Sequence, residues 1–278
     1  MSFAVSLILC AAFLHAFWNS VVKGSGDRVL TMGLVNIGHV VIGAVMVALY
    51  LPPAAESWPF LIASTIIHWW YYGFLIWAYN LGDLSKVYPI ARGVAPVTVA
   101  LSAQIFAGEV LPPGAWVGLV LVSGGICLLL FERGGAQMER GAVIAAVATG
   151  LTIAAYSVVD GLGVRVSNSA LGYIGWLFLL EGIASIGFIW LRRGVLHQVT
   201  AKTYVLGIMG GIISAVAYGL AIYAKTLTNL GTVSAIRESS VIIAAMIGVL
   251  WFGERPWHIR ILAAVIVAAG VVVMARNA

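Results

Sequence analysis

Tyr-Gly-Phe-Leu-Ile-Trp-Ala-Tyr-Asn-Leu at residues 72–81 returns as Tyr-Gly-Leu-Ala-Ile-Tyr-Ala-Lys-Thr-Leu at 218–227. Tyr72, Gly73, Ile76, Ala78 and Leu81 each meet their own residue type in one frame. Further along, Arg92 meets Arg237 and Gly108-Glu109 meets Gly253-Glu254, one position out of that frame. The two halves read as copies of one unit, and both copies keep an arginine inside an apolar segment. A repeat of this length decides architecture before any local reading does. In a membrane protein it points to a transporter whose site lies between the halves.

The membrane follows from composition. The 278 residues are 62% apolar and 9% charged, with a mean hydropathy of +1.05. A soluble domain carries about 25% charged residues, so these could not cover a globule. The net charge of +5 has no basic run behind it, which argues against a nucleic-acid partner and for a topology signal. Cys10 and Cys127 lie in apolar runs without metal-like spacing, so neither a disulfide nor a metal site is expected. The first segment has no basic leader and no A-x-A cleavage site, and it reads as a span rather than a signal peptide.

About 20 residues cross a bilayer. On that measure ten spans fall at 3–22, 30–50, 59–80, 84–108, 114–131, 141–159, 170–191, 203–225, 232–252 and 258–275. Their connections carry turn residues: Gly-Ser-Gly-Asp at 24–27, Pro52-Pro53, Pro112-Pro113 and Glu254-Arg255-Pro256. The polar stretch 132–140 divides the chain into a first repeat, 1–131, and a second, 141–278. Five spans per repeat force the second copy to enter the membrane from the opposite side. The expected fold is an all-α integral membrane protein with ten helices in two inverted five-helix repeats. Lys23, Arg28, Lys86, Arg133, Arg140, Arg192, Arg193, Lys202, Arg255 and Arg260 collect on one face, against Arg165 and Arg276 on the other. Cytoplasmic loops gather such cations, which puts both termini outside.

At this point the chain resembles the drug/metabolite transporter superfamily, specifically its ten-helix EamA-type members. The residues that carry the resemblance are Gly108-Glu109 and Gly253-Glu254, each closing the fourth span of its repeat. Each is followed by a span of small residues, with Gly118, Gly124 and Gly125 in one and Ala263, Ala264, Ala269 and Gly270 in the other. His15-Ala-Phe-Trp-Asn19 and Ile236-Arg-Glu-Ser-Ser240 resemble a bacterial subgroup. The resemblance covers nearly the whole chain and implies the fold, a bacterial inner-membrane location and transport. It leaves the substrate open, because relatives move amino acids, drugs, sugars, nucleotide sugars and phosphorylated metabolites. Gly114-x-x-x-Gly118 and Gly207-x-x-x-Gly211 are spaced for close helix approach in lipid, and the two Gly-Glu glutamates, at span ends, read as structural.

Polar residues at membrane depth need a reason, since a charge at a helix centre costs about 2.5–3.5 kcal/mol even on the gentler scales. His39, His68 and Glu181 fall mid-span, and Arg92, Asp160, Lys225, Arg237 and Glu238 lie nearer span ends. They either satisfy one another or build a site. Arg92 stands in Tyr88-Pro-Ile-Ala-Arg-Gly-Val-Ala-Pro96, where Pro89 and Pro96 are expected to bend or break the helix. Arg237 occupies the matching place, and the two guanidinium groups suit a two-pronged clamp on a carboxylate or phosphate; the competing reading has Arg237 snorkel to the interface. The run His68-Trp-Trp-Tyr-Tyr72 sits too deep for an interface anchor and is expected to line a cavity or meet a substrate ammonium. Spans one, three, four, six, eight and nine are expected to line that cavity, with spans five and ten at the periphery.

Phosphate-loop, zincin, nucleophile-elbow and dinucleotide fingerprints are absent from the sequence. The reading is a non-enzymatic secondary transporter, without cofactor or metal, acting as a monomer or weak homodimer in the bilayer. Its small-molecule substrate is an amino acid or related zwitterion or anion, moved outward. Asn19, His68, Tyr72, Arg92, Tyr156, Tyr218, Arg237 and Glu238 are the candidate binding residues; Asp160, Glu181 and His39 are the candidate proton carriers. Arg92, Lys225 and Arg237 keep an organophosphate or phosphonate substrate open. A membrane enzyme or flippase-like protein working on a lipid headgroup is the reading from a different class.

Overall fold

A computed structural model of the chain describes residues 2–22, 27–81, 84–131, 139–250 and 257–277, and every regular element in them is helical. In order these are α1 (Phe3–Val22), α2 (Arg28–Leu49), α3 (Trp58–Leu81), α4 (Leu84–Phe106), α5 (Pro113–Leu128), α6 (Arg140–Arg165), α7 (Ala170–Glu181), α8 (Ala184–Leu191), α9 (Ala201–Ala224), α10 (Leu230–Arg237), α11 (Ser240–Leu250) and α12 (Trp257–Arg276). Seven stretches of the described residues are long and apolar enough to cross a membrane: 29–49, 55–78, 87–106, 140–165, 170–191, 201–224 and 257–276. α1 and α5 are apolar but shorter. Large apolar side chains such as Phe3, Ile105, Phe106, Val120, Ile186 and Val265 face outward, as a lipid solvent allows and water would not. The cations Lys23, Arg133 and Arg255 and the second Gly-Glu pair, Gly253-Glu254, lie outside the described residues.

Local chemistry sets most boundaries. Asp27 caps α2, its carboxylate accepting from the amides of Val29 and Leu30 at 3.0 Å each. Gly108 stops α4 in the left-handed region at φ 65°. Pro113 starts α5, where its missing N–H costs nothing. Asn168, at φ 53°, turns the chain between α6 and α7, and the Ser169 hydroxyl caps α7.

Three boundaries differ from the sequence expectation. Pro89 and Pro96 do not break α4, which runs through both; Pro96 removes only the donor that the Arg92 carbonyl would otherwise receive. α6 runs on to Arg165, past the expected end at 159. Its Gly161 and Gly163 serve packing instead of ending the helix, because Leu230 sits against one and Tyr173 with Phe60 against the other. The interruptions fall elsewhere, at Gly182-Ile183 between α7 and α8 and at Glu238-Ser239 between α10 and α11. At both, amides reach back three residues instead of four: Ile183 to Leu180 and Ser185 to Gly182, Glu238 to Ala235 and Val241 to Glu238. Such tightened turns inside a helix mark functional positions more often than chance.

Packing crosses between the halves. α3 lies along α6 and α1 along α9; α4 packs on α6, and α1 on α10 and α11. α2 meets α7 and α8, α4 meets α10, and α5 meets α12. The α5–α12 contact is close: a side chain on Gly118 would come 2.8 Å from the Gly270 carbonyl oxygen, and one on Gly270 would come 2.7 Å from that of Gly118. Gly207 and Gly211 let α9 approach α2 in the same way, at Leu34 and Val35. Both small-residue spacings therefore do what was expected of them.

Candidate functional site

The polar side chains meet where α7 is interrupted. Glu181 ends that helix with its carboxylate buried against side chains from α2 and α3. His39 Nδ1 stands 3.6 Å from one carboxylate oxygen and His68 Nε2 3.8 Å from the other. The Tyr72 hydroxyl donates to the oxygen nearer His68. Each imidazole is held from behind, His39 Nε2 by the Ser214 hydroxyl at 3.2 Å and His68 Nδ1 by the Ser64 carbonyl at 2.9 Å. The Ser64 hydroxyl also lies 3.2 Å from His68 Nδ1, and because the carbonyl only accepts, the shorter contact is made when Nδ1 carries the hydrogen. His68 Nε2 then offers Glu181 either a lone pair or, once protonated, an N–H.

Beside this group lies a wall of rings. His68 stacks on Tyr156 with centroids 4.0 Å apart, and Tyr71, Tyr72 and Tyr218 ring the pair. The Tyr218 hydroxyl donates to Asp160, as does that of Tyr173 at 3.2 Å. Asp160 is fully buried, and the nearby Lys225 ammonium donates to the Ser157 carbonyl at 2.9 Å. A buried carboxylate held by two phenols is a satisfied one.

The two arginines differ in their surroundings. Arg92 Nε lies 3.0 Å from Glu238 and its Nη2 reaches the Ser240 hydroxyl at 3.4 Å, so this guanidinium is engaged across the interruption between α10 and α11. Arg237 is buried too, with its guanidinium 5.1 Å from the centroid of the Tyr218 ring. Among the described residues it has no carboxylate within ion-pair distance. Both cations lie close enough to His15, Tyr71, Tyr88 and Tyr156 to act on them through space.

Of the residues singled out from sequence, His39, His68, Tyr72, Arg92, Tyr156, Asp160, Glu181, Tyr218, Arg237 and Glu238 are all buried and drawn into one region. Asn19 is only half-buried, and its amide donates to the His15 carbonyl of its own helix at 2.7 Å. Trp70 departs from the expected lining, 62% exposed on α3, whereas Trp69, 41% exposed, donates its indole N–H to the Glu181 carbonyl at 3.4 Å, and His68, Tyr71 and Tyr72 of that run turn inward. Helical geometry is the reason, since neighbours in sequence point about 100° apart. α2 and α7, left out of the expected lining, supply His39 and Glu181.

Sequence reasoning missed Ser214 and Tyr173. For Ser214 a signal existed, because the frame that pairs Tyr72 with Tyr218 pairs His68 with Ser214. It gave Glu109 only a general structural part. That carboxylate pairs with Arg165 at 2.6 Å and accepts from the Leu230 amide at 2.7 Å, capping α10 from the end of α4.

With this geometry in hand, the comparisons are brief. Residues 140–276 match the EamA-like transporter family. No curated protein matches the chain. A solved crystal structure is similar over 97% of this chain and 95% of its own, with a TM-score of 0.78 at 17% identity. At that identity the likeness speaks for the fold alone.

Proposed function

We propose that this chain belongs to the drug/metabolite transporter superfamily, a reading supported by the match of residues 140–276 to the EamA-like transporter family, and that it is a secondary transporter. Its cargo is a small polar metabolite, an amino acid or a related zwitterion or anion, exported by alternating access. Ten spans in two inverted five-helix repeats, 1–131 and 141–278, rock about a site between them. The exchange of packing partners between halves supports the repeat: α3 on α6 answers α1 on α9, and α4 on α6 answers α1 on α10 and α11.

The observation that carries the reading is the convergence of buried polar side chains from both halves, which a helix bundle held by apolar packing does not need. Substrate would meet Arg237 at one end, beside the Arg92–Glu238 pair, and His68, Tyr72, Tyr156 and Tyr218 along its length. Glu181, placed between two imidazoles, is the proton carrier this reading favours; Asp160, already held by two phenols, is the weaker choice. The protein works without a cofactor, as a monomer or weak homodimer in a bacterial inner membrane, and it is not an enzyme.

Arg92, Lys225 and Arg237 support a second reading, an organophosphate or phosphonate substrate, because three buried cations outnumber what one carboxylate requires. Counterflow in proteoliposomes decides. Vesicles preloaded with one unlabelled amino acid, or with one organophosphate, should accumulate its labelled form above protein-free controls. Product formation without vesicle filling would instead support a headgroup-modifying enzyme.

A further inference from the structure

The two arginines stand at matching places in the repeat but differ in what surrounds them. Arg92 is neutralised by Glu238, at 3.0 Å, and tied to Ser240. Arg237 is nine-tenths buried and among the described residues no carboxylate lies within ion-pair distance of it; its Nε, like that of Arg92, has no hydrogen-bond partner. Lys225 has the Ser157 carbonyl, with Asp160 within Coulombic reach, and Glu181 has two imidazoles. Among the described residues each of the other buried charges has a partner of its own, whereas Arg237 has only a share of Glu238, which is paired with Arg92 and within Coulombic reach of Arg237.

A lone guanidinium at this depth is costly and calls for an anion from outside. Two further features surround it. The Ser239 hydroxyl, in the interruption between α10 and α11, is buried and unpartnered. Tyr218 supplies the face on which the guanidinium rests.

We propose that the turn Arg237–Ser239 is the receptor for the substrate's negative group, with Arg237 as its single uncommitted cation. The Arg92–Glu238 pair holds that receptor in shape and does not grip substrate. This rests on the transport reading and sharpens it. One free positive charge suits a singly charged oxyanion, the carboxylate of a zwitterion, better than a dianionic phosphate. The zwitterion's ammonium then lies along the rings of His68, Tyr71 and Tyr156 toward Glu181.

Stability and binding together test the assignment on the full-length protein in detergent. Arg237→Met relieves an uncompensated buried charge and should raise the melting temperature without ligand. Arg92→Met strands Glu238 and should lower it, and Arg92→Met/Glu238→Gln should restore it. The binding probes are the amino acid that wild type exchanges in counterflow, together with acetate and inorganic phosphate. Arg237→Met should bind the amino acid and acetate at least tenfold more weakly, and Arg237→Lys, which keeps the charge, several-fold more weakly. The double variant should stay within about threefold of wild type, and phosphate should bind wild type more weakly than acetate.

Equal losses in the double variant and in Arg237→Met would restore the two-armed clamp and overturn the proposal. So would a lowered melting temperature for Arg237→Met together with unchanged binding by Arg237→Lys. If wild type exchanges no amino acid, the transport reading fails on its own account, and the acetate titration still judges the receptor.

Discussion

At the scale of single residues, the site is a set of charges sorted by whether their compensation is internal. Glu181 shows the sorting best, because its two imidazoles and one phenol give it both donors and a place to leave a proton. Glutamine at 181 keeps an acceptor for the Tyr72 hydroxyl and removes the charge that either protonated imidazole would balance. Glu181→Gln should therefore fold normally and still exchange substrate for substrate. It should lose stimulation by an imposed proton gradient, measured as flux into vesicles with and without a pH difference; full stimulation in this variant would remove Glu181 from proton coupling. Most of these residues were legible in the sequence, since an ionisable group inside an apolar run stands out without a structure. Their pairings were not. Nothing local tells that Glu238 pairs with Arg92 while Arg237, its neighbour in the chain, has among the described residues no carboxylate within ion-pair distance.

Among the elements, seven of the ten expected spans match described stretches long and apolar enough to cross a membrane, and the interruptions were not legible. Apolar runs of membrane length announce themselves, whereas the tight turns at 182–183 and 238–239 are held by packing from α2, α3 and α4. Prolines misled for a related reason: in α4 the helix persists through Pro89 and Pro96, because its neighbours fix the segment on both sides. The close pair α5–α12 is the element contact with least room. Gly118→Val puts its branch against the Gly270 carbonyl and Met274, so overpacking should cost about 1–3 kcal/mol, read as a drop in melting temperature. Gly124→Val, where an added carbon meets nothing within 4 Å, should cost far less. The clasp at Glu109 is the second element-scale case. Glu109→Ala removes the cap on α10, worth about 0.5–2 kcal/mol, and frees Arg165. Amide exchange at Leu230 to Val233 should quicken, while Glu109→Gln, which still accepts from Leu230, should show much less of this.

For the molecule as a whole, the repeat frame was a productive guide, because under the proposed two-fold repeat equivalent positions would come together. His39 and Glu181, in the second span of each half, do meet, and so do α4 and α10. The same reasoning identifies the face that has to open. On the side of the Phe106, Arg165 and Ala224 helix ends, Glu109 grips Arg165, and Arg165 donates to the carbonyls of Lys225 at 2.8 Å and Thr228 at 3.0 Å. The connections there are tied as well, the Ala54 amide to the Ser167 carbonyl at 2.8 Å and the Ser169 hydroxyl to the Leu51 carbonyl at 2.8 Å. If the halves rock, this set of contacts breaks and reforms in each cycle. Cysteines at 109 and 165, with Cys10 and Cys127 replaced by serine, should accept a short cleavable dithiol linker. Linked protein should lose at least nine-tenths of its exchange rate and recover it when the linker is cleaved. Undiminished exchange in fully linked protein would mean that substrate passes without this face parting, and alternating access between the halves would have to be given up.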